Sequence, residues 1–505
     1  MKIAYFLDST DVLGGAGNVL LEQAKLMNEF HDVMVIIPCN EKKELNQEYL
    51  QRCQKAHVKY TSLAYTTAFN IQYIDYVKAV DASYEIKKFA VQEQVDFFHS
   101  VQLNMGAELA ARELKIPHLM NIYQLRKEEF VLTCLDIFPR YHSCDSWLYG
   151  NIWKKYLGIK TCCIRPSAPL SSIQKKMRRK RSNLKILMLG SFEKRKNQMT
   201  AIQAVEKCNN SGLSIELTIA GSDHTQFAQE CKDYVEEKGL YSKIHIIGFQ
   251  SDIVLLLKEN DGFLCASTDE SFPSSIVEAM TYGLTIISTP VAGVPELLKD
   301  RINAYISKGY ETDDIVECIV RWAADYNNPV IENIHKQAEL VWKENFSPDI
   351  VRKKLDSYYA YILEDYQKCP EKMSNSLISD QDIRMTQQLL KQNGIKEPDI
   401  LSRIYYYTCL TVLLHSGDAY IWGAGKYGKF AKQIIEVLFP KIKVKAYIDS
   451  MKTGEYCGIP VFRPDQVKME SVSYIFIGFG NGRKAVIDYL DKMGFVYNKD
   501  VWILP

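Results

Sequence analysis

The 505-residue sequence has almost no net charge, with 62 lysines and arginines against 61 aspartates and glutamates. A balance that close produces no overall field toward nucleic acid, so a nucleic-acid-binding class finds no electrostatic support. No apolar run comes near the roughly 20 residues that a membrane helix requires. The longest candidate, around Ile404 to Leu414, is about half that length. The 13 cysteines form no CxxC pair and keep no metal-ligand spacing with histidine. Scattered and odd in number, they read as buried thiols in a reducing compartment rather than as a disulfide framework. The adjacent Cys162-Cys163 reads as strand packing. The opening MKIAYFLDST is too short in its apolar run for a signal peptide, and it alternates as a strand does. Low-complexity tracts and internal repeats below domain scale are also missing. These absences predict a cytoplasmic protein without a membrane span, leaving contact with the inner face of a membrane open.

What is present is ordinary globular material, 47% apolar and 24% charged. The length asks for about two to four domains. Three times the sequence opens a segment in the same way, with a β-rich run, a glycine turn and a helical pattern. The first opening is Lys2-Ile-Ala-Tyr-Phe-Leu with Gly14-Gly15-Ala-Gly17, leading into a helix striped by Leu20, Leu21, Ala24 and Leu26. The second is Leu184-Lys-Ile-Leu-Met-Leu-Gly190, with a helix beginning near Gln198. The third is Ala419-Tyr-Ile-Trp with Gly423-Ala-Gly425-Lys-Tyr-Gly428. Short apolar runs such as Val33–Ile37, Ile215–Ala220, Ile244–Ile247 and Thr285–Ser288 alternate with longer helical patterns. That alternation predicts an α/β fold with parallel sheets covered on both faces. The domains expected are 1–175, 182–348, a closing helix and helical spacer over 349–416, and 417–505. Between the first two lies the basic run Lys175–Arg181, readable as a solvated linker or as a contact for anionic lipid.

In the second segment, the apolar run Phe263-Leu-Cys-Ala ends a strand, and a helix is predicted to start near Ser274. Glu270 then sits on the loop at the carboxyl end of a parallel strand, where open α/β sheets place ligands. Ser274 and Ser275 fall at a helix N-terminus, whose N–H groups and positive dipole end suit a diphosphate. Glu278 lies one turn further on. Ser275-x-x-Glu278 also has the spacing of a capping box, in which case Glu278 only satisfies its own helix end.

Glu270 and Glu278, separated by seven residues and with Phe272-Pro273 after the first, resemble the E-x7-E motif of family 4 glycosyltransferases. These are retaining enzymes of the GT-B fold. The order and spacing of Gly190, Lys196-Asn-Gln, Ile219-Ala-Gly221, Ile247-Gly248-Phe249, Ala279-Met280 and Val291-Ala-Gly293-Val-Pro295-Glu296 are similar to that family as well. The resemblance is dense over residues 182–345 and sparser over residues 1–170. It implies two facing Rossmann-like domains and transfer of a sugar from a UDP- or GDP-sugar to a hydroxyl acceptor, with retention of configuration and without a metal. A surface polysaccharide or other glycoconjugate is the implied product, and a glycan, lipid-linked or protein acceptor the implied partner.

By the same resemblance, Lys196 would neutralise the departing diphosphate with the N–H groups of Ser274 and Ser275, in the place of a metal. Glu270 would contact the transferred sugar, Glu278 the ribose hydroxyls, and Gly248-Phe249 the base. Gly190, Ser271, Phe272 and Pro273 would complete the donor-binding set. Gly14 and Gly15 would let backbone approach the donor phosphate and the acceptor, and His99 matches the family's active-site histidine. Two positions depart from the pattern. Ser191 stands where the family has an arginine, which puts Arg195 forward as a replacement, and a second histidine of the family is missing near Asn121-Ile-Tyr123. A metal-dependent transferase needs a DxD triplet after a strand. The one such triplet, Asp380-Gln381-Asp382, lies in the polar spacer and reads as a solvated helix start.

In the third segment, Gly423, Gly425 and Gly428 follow a strand and open a helix, and Asp449 ends the next strand. This is the dinucleotide-binding fingerprint, which makes a nucleotide or NAD(P) the candidate ligand of that domain. A tight turn in a docking module explains the same glycines. The segment resembles small Rossmann-like modules of bacterial sugar-modifying and capsule-assembly enzymes. Two other functions fit the same fold: an NDP-sugar 2-epimerase, and a catalytically degenerate transferase that acts as an assembly subunit.

Overall fold

In the computed structural model, each of the three strand–turn–helix openings founds a largely parallel sheet. The structure describes residues 1–7, 15–39, 47–63, 65, 76–102, 104–123, 139–157, 160–170, 182–370, 380–394, 407, 410–411, 414–469, 472–478, 483–496 and 500–504. By its contacts the chain divides into two units. One holds Met1–His142, Trp153–Lys160 and Ile362–Pro505, and the other Ser143–Ile152 and Thr161–Tyr361. Gly14, the basic run Lys175–Arg181 and most of the apolar run near Ile404 lie outside the described residues. Among the described residues, no helix is long and apolar enough to cross a membrane.

The first sheet contains β1 (Lys2–Phe6), β2 (Asp32–Pro38), β3 (Lys59–Leu63), β4 (Phe97–Val101), β5 (His118–Asn121), β6 (Tyr141–Cys144) and β7 (Lys160–Cys163). Their order is β3-β2-β1-β4-β5-β6-β7. The second contains β8 (Leu184–Leu189), β9 (Ile215–Ala220), β10 (Ile244–Ile246), β11 (Gly262–Cys265), β12 (Thr285–Ser288) and β13 (Tyr305–Ile306), in the order β10-β9-β8-β11-β12-β13. The third contains β14 (Gly417–Trp422), β15 (Ile442–Ile448), β16 (Gly454–Tyr456), β17 (Ile459–Phe462), β18 (Tyr474–Ile477) and β19 (Val501–Ile503), in the order β16-β17-β15-β14-β18-β19. Only β16 runs antiparallel to its recorded neighbour in that sheet. The fold is thus α/β with Rossmann-like sheets, as the strand–helix alternation predicts.

The second sheet positions the candidate site. Its strands are buried on both faces, so they read as near-continuous apolar runs. One face packs on the helices Gln198–Asn210 and Thr312–Asp325, around a cluster that includes Ile202, Val205, Ile219, Ile319 and Trp322. The other packs on the helices Ser274–Thr281 and Val330–Asn345, around Phe263, Ile276, Val277, Ile286 and Trp342. Trp322 is fully buried against Gly262, where a Cβ would lie 2.9 Å from the indole. Burying a side chain of that size contributes about 5 kcal/mol. Strand order reverses between β8 and β11, and in sheets of this type the crevice beyond the carboxyl ends of those strands is where ligands bind. The turn Gly190-Ser191 follows β8, and the loop 266–273 follows β11.

Candidate functional site

Two chain segments meet at that reversal. After Gly190, whose φ of +149° turns the chain beneath the Lys196 side chain, comes the short turn Lys194–Lys196. Asn197 closes it in the left-handed region at φ +61°, with its side chain bonded by Thr200 Oγ1 at 2.6 Å. Gln198 Nε2 donates to the Ser191 carbonyl at 2.8 Å, which fixes the turn from below. The loop after β11 is stitched to this turn by Thr268 N–H on the Arg195 carbonyl, 2.8 Å, and to β12 by Thr289 Oγ1 on the Ser267 carbonyl, 2.6 Å.

The result is a carboxylate between two cations. Glu270 Oε1 accepts from Lys196 Nζ, from Arg195 Nη1 at 3.1 Å and from Ser267 Oγ at 3.2 Å. Glu270 is 9% exposed, and the Lys196 side chain is itself mostly covered. Arg195 is also held by Glu193, Nε to Oε2 at 2.7 Å. Burial works against its charge, but Glu270 and Glu193 outweigh that and hold its pKa above the ordinary arginine value.

The helix Ser274–Thr281 begins beside this cluster. Its N-cap is Pro273, which supplies no side-chain hydrogen bond to the first turn. Ser275 therefore stands inside the helix, and the capping-box reading of Ser275 and Glu278 does not describe this helix start. A first turn without a side-chain cap keeps its N–H groups and dipole end for an anion. Ser274, Ser275 and Glu278 are partly exposed there. At the far side of the sheet, Gly248 turns at φ +68°, and Phe249 follows, 55% exposed.

The other predicted residues fall elsewhere. Phe272 turns into the core, its ring 5.1 Å from that of Phe346 and under the Arg165 guanidinium. Gly15 opens the helix Gly15–Met27, with nothing within 4 Å of where a Cβ would be. His99, in β4 of the other unit, is fully buried, and its Nε2 lies 2.8 Å from Asn121 Oδ1. Asn121 Nδ2 donates onward to Gln23 and Tyr123, so Oδ1 accepts and the His99 Nε2 carries a proton. Burial drives the His99 pKa down to about 3, so the ring is neutral. In the third sheet, Gly428 packs on the Gly423 carbonyl, where a Cβ would be 1.9 Å away. The Asp449 carboxylate accepts the N–H groups of Ala424, Met451 and Lys452 at 2.9, 2.9 and 3.1 Å. It braces its own glycine turn.

Comparison with known proteins bears on the fold. Residues 171–339 match the family model for glycosyl transferases group 1. The match takes in the second sheet and the loop that carries Glu270. The chain is 22% identical over 354 residues to the Escherichia coli UDP-Gal:alpha-D-GlcNAc-diphosphoundecaprenol alpha-1,3-galactosyltransferase, covering 64% of this chain and 88% of that protein. Two other curated relatives are matched over only 35% and 32% of their own length. Among solved structures, a glycosyltransferase from Rickettsia africae superposes with a TM-score of 0.61 at 16% identity, over 72% of this chain and 99% of that one. The HepE protein of Anabaena in complex with UDP superposes with a TM-score of 0.58 at 15% identity, over 72% and 100%. These likenesses show the fold, which is that of GT-B glycosyltransferases.

Sequence patterns do not reveal that Asp145 bonds to the loop 266–273 or that Arg165 pairs with Glu296. Asp145 Oδ1 accepts the Ser271 hydroxyl, and Arg165 Nη2 reaches Glu296 Oε2 at 2.5 Å. No local pattern could have found them, because the partners are 126 and 131 residues apart.

Proposed function

We propose that the protein is a retaining, metal-independent glycosyltransferase that moves a sugar from a UDP- or GDP-sugar to a hydroxyl acceptor in assembly of a bacterial surface glycan. The observation that carries this reading is the Glu270 carboxylate held by Lys196 and Arg195 at the carboxyl end of β11, next to the uncapped start of the helix Ser274–Thr281.

The chemistry follows from charge. An arriving donor brings a diphosphate to two cations that now share Glu270. Lys196 and Arg195 turn to the phosphates, with the N–H groups of Ser274 and Ser275 completing the cradle. Glu270, released from them, faces the sugar and stabilises the positive charge that develops as the glycosidic bond breaks. The departing phosphate oxygen takes the acceptor hydroxyl proton, so the reaction needs no separate base. Two cations and a helix N-terminus supply the neutralisation that a divalent ion supplies elsewhere, which supports the metal-independent reading. Glu278 takes the ribose hydroxyls, and the exposed Phe249 ring borders the base. His99, being neutral and bonded through Nε2 to Asn121, is not a proton carrier in this reading.

The test is incubation with several NDP-sugars in the presence of a chelator. Slow release of NDP without acceptor, with the anomeric configuration retained in the transfer product, supports the reading. Sugar interconversion without NDP release makes the protein an epimerase. Neither activity, from a folded protein, makes it a subunit. The third sheet remains the proposed site of a nucleotide or of docking, and Lys175–Arg181 a proposed contact for anionic lipid, to be checked by vesicle flotation.

A further inference from the structure

Asp145 plays no part in the chemistry just described, yet it is bonded to the loop that performs it. It follows β6 and is 4% exposed. Its Oδ1 accepts the hydroxyl of Ser271, the residue after Glu270, and Ser271 Oγ also lies 3.2 Å from Ser146 Oγ. On its other side, the Ser271 carbonyl accepts the Gly293 N–H at 2.9 Å. A Cβ on Gly293 would stand 2.6 Å from Ser146 Cβ and 2.8 Å from the Ser271 oxygen. Three segments thus meet without a gap at the root of the donor loop. Arg165 ties the same corner, with Nη1 on the Asp145 carbonyl at 2.9 Å and Nη2 on Glu296. Glu296 in turn accepts the N–H groups of Trp147 at 3.1 Å and Leu148 at 2.9 Å.

We infer that Asp145 is a positioning residue for donor turnover, holding Glu270 through Ser271 and passing its own state of protonation to the donor site through the direction of the Ser271 hydroxyl. This rests on the transferase reading above. An ionised carboxylate can only accept, so the Ser271 proton must point at it, away from an anionic donor. A protonated Asp145 can donate to Ser271 Oγ, which frees the hydroxyl proton to turn from the carboxyl toward Ser146 Oγ or a bound donor. Ionisation also adds a negative charge near Glu270.

The groups around the carboxyl are mixed in sign. Arg165 faces it, Cys144 and Cys163 lie on the adjoining strand ends, Glu270 is on the donor loop, and Glu296 sits behind Arg165. Burial raises the Asp145 pKa, the Ser271 bond and Arg165 lower it, Glu270 adds to the rise, and the balance lies at about 7.

The test is kcat/KM for NDP release by the wild type, Asp145→Asn and Ser271→Ala between about pH 5.5 and 9, with thermal unfolding measured from about pH 4 to 9. The wild type should lose about threefold or more between pH 6 and 8. Asp145→Asn, whose amide can donate to Ser271 at every pH, should stay flat near the low-pH value. Ser271→Ala should lack the inflection because the relay is cut. A wild-type profile that is flat across the window, or an inflection that survives in either variant, overturns the inference. If the wild type releases no NDP from any donor, the transferase reading fails instead, and unfolding decides on Asp145. A carboxyl whose pKa is raised by folding stabilises fully below its unfolded pKa of about 4 and loses that contribution as pH rises through about 7. The stability of the wild type relative to Asp145→Asn should therefore fall between those values. A constant difference overturns the inference.

Discussion

Arg195 Nη1 lies 3.1 Å from the same Glu270 oxygen that Lys196 reaches, four residues beyond Ser191. The turn Lys194–Lys196, pinned by Gln198 to the Ser191 carbonyl, brings the guanidinium to the site by another route. A second cation is therefore in place although Ser191 is not one. Replacing Arg195 by alanine should cost about 1.5–3 kcal/mol of transition-state stabilisation, a loss of about 10- to 150-fold in kcat/KM for the donor. Arg195→Lys should recover part of it, since lysine keeps the charge but not the planar fork. A loss of under about twofold in Arg195→Ala would remove Arg195 from the mechanism.

Glu278 separates the donor-site account from the helix-cap account. Because Pro273 is the N-cap and Ser275 lies within the helix, Glu278 does not close a capping box there. Glu278→Ala should weaken binding of a nucleoside diphosphate about tenfold, measured by calorimetry, while changing unfolding free energy by under about 0.5 kcal/mol. A clear loss of stability with unchanged affinity would return Glu278 to a structural role.

How much of this could be read from the chain alone follows the range of each interaction. The strands β2, β9, β10 and β12 and the start of the helix at Ser274 are local apolar patterns, and they stand where periodicity puts them. The Lys196–Glu270 pairing spans 74 residues, yet the family motif marked both ends. The same motif points to Phe272 as a donor residue, but the structure packs it on Phe346. Asp145 stays hidden because a lone aspartate before a serine carries no pattern, and its meaning depends on burial and on a partner 126 residues away. The aspartate after β15 matched a nucleotide fingerprint by position, whereas its oxygens are engaged by its own loop.

That engagement gives a prediction for the third sheet. Asp449→Ala leaves the Ala424, Met451 and Lys452 N–H groups without their acceptor, at a cost of about 1–3 kcal/mol. The loss should appear as an earlier thermal transition and as faster amide exchange at those three positions. An unchanged transition would mean that water replaces the carboxylate without penalty.

Asp365 predicts an acid limit to stability. It accepts from Lys160, from Tyr141 at 2.7 Å and from Arg140 at 2.5 Å. Burial works to raise its pKa, but the bonds from Lys160, Tyr141 and Arg140 outweigh it and bring the value to about 2. A depressed carboxylate stabilises above its unfolded pKa and loses that contribution as pH falls through the folded one. The window is thus from about pH 4 down to about pH 2, and the contribution at neutral pH is about 2 kcal/mol. Asp365→Asn should lose that amount at pH 7 and show a shallower acid transition, followed by denaturant unfolding at a series of pH values. An identical acid profile would contradict this.

The most direct measurement of the central claim is NDP release from the preferred NDP-sugar, in chelator, by the wild type, Glu270→Ala and Glu270→Gln. The account predicts steady release by the wild type and a loss of about 100- to 1,000-fold in both variants, since neither can offset positive charge on the sugar. Unchanged turnover in Glu270→Ala, or a wild type that turns over only when a divalent metal is supplied, would contradict it.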